Sequence, residues 1–167
     1  MASDPLNDYG ECALIAESVR LTYNMQGAAG VAGTYTASIK VPAYAVIVDV
    51  IVSQLALWNA GTSAALNVGD DDDADGFYTA IDMKATDLLA DESLSFSHPG
   101  AAADAGAYVD GTATHITNRV SSSDRTVTAT IVTAGSAATT GDTIVTVVMA
   151  RNVGSAAGRL TGSYVAT

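Results

Sequence analysis

The residues best suited to chemistry in this chain are aspartates, and they are bunched. Positions 70 to 92 hold Asp70, Asp71, Asp72, Asp73, Asp75, Asp82, Asp87, Asp91 and Glu92, with Lys84 as the only base. That run carries eight of the chain's eleven net negative charges. Within it, Asp71-x-Asp73-x-Asp75-Gly76 has the form of the opening of a calcium loop, and Asp82 falls at the twelfth position. Alternate carboxylates offer hard oxygen ligands, and the glycine permits the sharp turn such a loop needs. Three features favour a solvated acidic turn instead. The preceding segment reads as a strand and not as an entering helix. Asp82 is one carbon shorter than the usual bidentate Glu. Asp and Gly also favour turns without any ion. The expectation is therefore no metal and no cofactor, with Asp71, Asp73, Asp75 and Asp82 as the set that calcium would use.

Other chemistry has little to build on. There is no Gly-x-Ser-x-Gly, and Ser136 and Ser155 lie in Ala/Gly loops without a local partner. Cys12 could pair with His98 or His115 in space. Yet Cys12 precedes Ala13-Leu14-Ile15, where a small buried thiol is the simpler reading. One cysteine and two distant histidines make no zinc spacing, and one cysteine makes no intrachain disulfide. Paired carboxylates of the glycosidase kind want an aromatic cleft, and the chain has a single Trp. No phosphate loop or dinucleotide fingerprint is present. The expectation is no catalytic residue and no enzyme.

Composition narrows the partners. The 167 residues are 49% hydrophobic, chiefly Ala and Val, and only 15% charged, against about 25% in an ordinary soluble domain. Such an exterior suits a chain partly covered by neighbours. A net charge of −11, with seven scattered Lys and Arg, argues against direct contact with nucleic acid or an anionic membrane. Val41 to Trp58 is interrupted by Asp49, Ser53 and Gln54, so it predicts no membrane span. Met1-Ala2-Ser3-Asp4-Pro5 lacks the regions of a signal peptide, and synthesis in a cytoplasm is expected.

The elements that would hold these residues are strands. Thr34 to Val41 alternates strictly, as does Ser18 to Tyr23. Ala45 to Ser53 reads as a central strand whose buried face is Val46, Val48, Val50 and Val52. Thr126 to Thr133 and Thr143 to Arg151 read as an antiparallel pair across a Gly/Ala/Thr loop. Shorter candidates are Ala64–Val68, Ser93–Ser97, Ala113–Thr117 and Thr161–Ala166. Ile81, Ala85, Leu88 and Leu89, with Thr79 and Asp82 as a capping box, predict a short helix at 80–90; a bulged strand is the alternative. Trp58 closes a core strand, and rim packing is favoured over an interface anchor. The fold predicted is mainly β: an antiparallel β-sandwich, jelly-roll-like, with one short helix. Residues 1–11 read as an extended N-terminal arm and 12–167 as a single sandwich domain.

Val46 to Val52, Asn59 to Asp70, Asp75-Gly76-Phe77-Tyr78, and the Ala129–Val132 and Gly141–Val147 segments together resemble small head proteins of tailed bacteriophages, many of them capsid decoration (cement) proteins. The resemblance implies a β-sandwich bound outside an icosahedral shell, a homotrimer at a threefold or quasi-threefold position, and no catalytic residues. Its partner would be the major capsid protein, reached in part through the N-terminal arm, and its location the virion surface. A tail, fibre or surface adhesin module binding a glycan, with calcium at the acidic loop, is the alternative. A small β-fold hydrolase is the third.

Overall fold

Two-residue alternation becomes strand across most of what the computed structural model describes, namely residues 12–25, 32–84, 86–110 and 120–152. The strands are β1 (Cys12–Thr22), β2 (Thr34–Val41), β3 (Val46–Ala56), β4 (Ser63–Gly69), β5 (Tyr78–Asp82), β6 (Glu92–Leu94), β7 (Arg125–Ala134) and β8 (Asp142–Asn152). They form two four-stranded sheets, ordered β1-β8-β3-β6 and β2-β7-β4-β5. Every pairing is antiparallel, and the partners nest: first strand with last, second with seventh, third with sixth, fourth with fifth. Two further ladders, β3 with β8 and β4 with β7, complete the sheets. This is the jelly-roll sandwich that the sequence predicts.

The core lies between the sheets. From the first come Leu21, Ile47, Val50, Val52, Val145, Val147 and Met149; from the second, Tyr35, Ile39, Leu66, Val68, Ile81, Val127 and Ile131. Two aromatic residues tie the layers together. Tyr78 on β5 donates its hydroxyl to the Val50 carbonyl on β3 at 2.8 Å. Trp58, just after β3, meets Tyr35 of β2 edge-on at 4.8 Å and donates its indole N–H to Thr143 Oγ1 at 3.0 Å. Trp58 is 1% exposed, so it is a core residue, neither packed at the rim as the sequence suggests nor an interface anchor.

Four expectations need correction. The helix at 80–90 does not form. Its Thr79 hydroxyl donates to the Asp75 carboxylate at 3.0 Å and to the Asp75 carbonyl at 3.1 Å, so it caps nothing. The Asp82 N–H donates to Asp87 Oδ2, and Ala80 and Asp91 take φ of 50° and 67°, which a helix does not allow. Ile81 instead sits in β5, while Met83 and Leu88 reach the core from turns. Second, β7 and β8 do not pair with each other. Their connection crosses the sandwich, and each becomes an interior strand of a different sheet.

Third, the valines of β3 do not share a face. Ile47 pairs with Met149 and Asp49 with Val148, so Val48 is an extra residue at a bulge. The alternation shifts there: Ile47, Val50 and Val52 point inward, while Val46 and Val48 face out. Fourth, Cys12 opens β1 as an exposed thiol and is not buried. The predicted arm at 1–11 and the strands at Ala113–Thr117 and Thr161–Ala166 lie outside the described residues.

Candidate functional site

The acidic loop joins β4 to β5 and is built as a chain of side-chain turns. Asp70, 8% exposed, accepts the N–H groups of Asp72 at 3.1 Å and Asp73 at 3.2 Å through Oδ1. Asp73 in turn accepts the Asp75 N–H at 3.4 Å. The Asp70 N–H closes the turn by donating to the Asp73 carbonyl at 2.8 Å. Asp82 is engaged elsewhere, where its Oδ1 accepts the Lys84 N–H at 2.8 Å. The alternate aspartates thus serve local backbone turns. Among the described residues, no three His, Cys, Asp or Glu side chains converge as a metal cradle. The carboxyl of Asp73 is held above its ordinary range, first by sharing a hydrogen bond with the Asp75 carboxyl and then by partial burial.

A cation reaches this loop from inside the sandwich. Arg125, the first residue of β7, points inward with its side chain 8% exposed, and its Nη1 lies 3.8 Å from Asp70 Oδ2. None of its Nε, Nη1 and Nη2 atoms makes a hydrogen bond. Burial lowers the pKa of the guanidinium, and the charge of Asp70 works in the opposite direction. Tyr108 completes the group by donating its hydroxyl to Asp70 Oδ1 at 3.0 Å. Its ring lies close against Gly76, where a Cβ would overlap ring carbons, and meets Phe77 edge-on at 5.2 Å. The loop therefore has a built-in positive charge next to its most buried acid.

The nucleophile candidates are kept apart. Cys12 lies on β1 and His98 follows β6, at opposite edges of one sheet. Three strand spacings separate these edges by at least about 14 Å. His98 is exposed beside Ser97, whose Oγ is 3.2 Å from Nδ1. His115 lies outside the described residues.

The two outer faces differ in kind. On the β2-β7-β4 side the rungs are Thr34–Val132–Ala65, Thr36–Thr130–Asn67, Ser38–Thr128–Gly69 and Lys40–Thr126, with Val132 47% exposed and the rest mostly hydroxyls. These hydroxyls and amides suit water. On the β1-β8-β3 side the rungs read Leu14–Ala150–Val46, Ala16–Val148–Asp49, Ser18–Thr146–Ile51 and Arg20–Ile144–Ser53. Leu14 is 70% exposed, Val46 42% and Val48 44%. Arg20 forks onto Asp142, with Nε donating to Oδ1 at 2.7 Å and Nη2 to Oδ2. That contact holds the Asp142 carboxyl below its ordinary range.

No protein-family model matches the chain, and no curated protein matches it. Among solved structures it is similar to a chain of the cyanophage Pam1 capsid asymmetric unit. The TM-score there is 0.51 at 16% identity, over 90% of this chain and 91% of that one. A chain of the Ralstonia phage GP4 capsid gives 0.49 at 19% identity, over 90% and 89% of the two chains. One from the acid-stable capsid of Helicobacter pylori bacteriophage KHP30 gives 0.47 at 14%, over 85% and 94%. The fold is like that of the chain in the Pam1 capsid.

Within this capsid-type jelly roll, two features escaped sequence reading. Arg125 looked like any scattered base, because nothing local marks a strand's first residue as buried. The apolar exterior was hidden by the bulge at Val48, since unbroken alternation places Val46 and Val48 in the core.

Proposed function

We propose that this chain is a non-enzymatic structural protein of a bacteriophage virion, a decoration or cement protein bound to the outside of the capsid. The observation that carries this reading is the jelly roll shared over nine-tenths of both chains with a component of the Pam1 capsid. The low-charge exterior and the separation of Cys12 from His98 support it. Its work is mechanical: it joins neighbouring capsomers of the major capsid protein by covering surface across their seams. It does so as a homo-oligomer, with a trimer suited to threefold positions, after synthesis in the host cytoplasm. Residues 12–167 act as one sandwich domain, and residues 1–11 as an arm toward a neighbour. The glycan-binding alternative calls for exposed aromatics grouped on one surface. Tyr23 and Tyr44, the exposed aromatics among the described residues, stand at opposite ends of the β1-β8-β3 sheet.

Cosedimentation tests the reading. Purified protein at micromolar concentration, mixed with empty shells of its phage, is expected in the pellet at a fixed ratio to the major capsid protein. Protein that stays in the supernatant, while shells pellet intact, overturns it.

A further inference from the structure

We propose that the outer face of the β1-β8-β3 sheet is the surface on which a second copy of this chain docks. Three observations converge there. The face is apolar where a solvated sheet would be polar: Leu14, Ala16, Val46, Val48, Ile51 and Val148 form a continuous patch across three strands. Two of these exist as surface residues through the bulge, which turns Val46 and Val48 outward together. Apolar side chains grouped on an exterior in this way mark a surface that a partner covers.

The second observation is charge. With a net charge of −11, two copies repel across most of their surfaces. Among the described residues, this face carries only two of the acids. Asp142 is held by Arg20, and Asp49 accepts the Phe96 N–H at 2.8 Å. Like-charged chains can therefore approach here without stacking acid on acid. The opposite sheet has little charge too, but its exposed apolar side chain, Val132, sits beside Thr34 and Thr130 and not in a patch across three strands.

The third is area. Strands β1, β3 and β8 are each 11 residues long. Three strands at about 4.8 Å and 11 residues at about 3.4 Å make a face of roughly 500 Å² in plan. Two copies would bury about 1,000 Å², the size at which specific interfaces begin.

The inference rests on the self-association in the proposed function but not on shell binding, so its test uses no shells. Sedimentation equilibrium of the full chain at micromolar concentration and moderate salt is expected to show an oligomer. Leu14→Lys with Val46→Lys, both at exposed positions, should reduce the mass to one chain while leaving the melting temperature of the monomer unit and the far-ultraviolet dichroism in place. Thr36→Lys with Thr130→Lys on the other face should leave the oligomer intact. An oligomer that survives the first pair overturns the inference while self-association stands. A wild-type monomer overturns both, including the case in which the face is covered by a shell protein or by a terminal segment of the same chain.

Discussion

Arg125 places a full positive charge inside the sandwich with one carboxylate, Asp70, in ion-pair range, and the two partners should respond unequally to mutation. Asp70 has other partners: the hydroxyl of Tyr108 and the N–H groups of Asp72 and Asp73. Arg125 makes no hydrogen bond, and its ion pair is with Asp70, the charge of Asp72 acting more weakly. Asp70→Ala should therefore cost about 3–5 kcal/mol in urea unfolding, because it strands a buried charge. Arg125→Met, which keeps the bulk and removes the charge, should cost less than about 1 kcal/mol or stabilise. Equal losses for the two variants would contradict the geometry. Gly76→Ala should cost about 1–3 kcal/mol, since its Cβ meets the Tyr108 ring. The acidic run was legible as a turn from its composition. Its internal counter-charge was not, because Arg125 lies some fifty positions away and reaches the loop only through the β4–β7 ladder.

At the scale of the element, the bulge in β3 makes a sharp case. Removing Val48 leaves Ile47 followed by Asp49, whose partners Met149 and Val148 are already consecutive. The shortened strand keeps Ile47, Val50 and Val52 inward, so the deletion should fold with a melting transition as cooperative as the parent's. Deleting Ile51 instead slips every later residue to the wrong face and should abolish the transition. Thermal unfolding followed by near-ultraviolet dichroism distinguishes the two. Strands with unbroken alternation, such as β2 and β7, could be read from the sequence within a residue or two. The helix at 80–90 could not, because its apparent period joined residues of different fates: Ile81 lies in β5, Leu88 is buried outside any strand, and Leu89 is exposed. Hydrogen bonds accepted by the Asp75, Asp82 and Asp87 side chains override the capping pattern there. The expected β7–β8 hairpin failed for another reason: a short loop links neighbours in a sheet and neighbours across a sandwich equally well.

For the whole molecule, net charge and individual carboxyls pull stability the same way over part of the pH range. Asp104 is raised by burial, then by the charge of Asp87, and Asp73 by its contact with Asp75. A carboxyl with a raised folded pKa adds stability as pH falls through that value, complete below the unfolded value of 3.8. Asp142, lowered by Arg20, contributes above 3.8 and is lost as pH falls below it. The melting temperature is thus expected to rise from pH 7 toward about 4 and to fall below that, with Asp104→Asn flattening the rise. A steady decline from pH 7 downward would refute this. The jelly roll itself was legible in outline, since many short strand candidates with Gly-rich connections leave few other ways to cover both faces; β5 and the nesting of pairs were not, the nesting because it depends on distant partners. That nesting sets how the protein bears load. Cys12 lies opposite Asn152, so both ends of the described chain leave side by side at one edge. Tension between them opens the β1–β8 ladder like a zipper, one pair at a time, whereas a pull across the sheets must break many contacts at once. A subunit anchored by its faces would resist a swelling container, while one held by its two ends would peel.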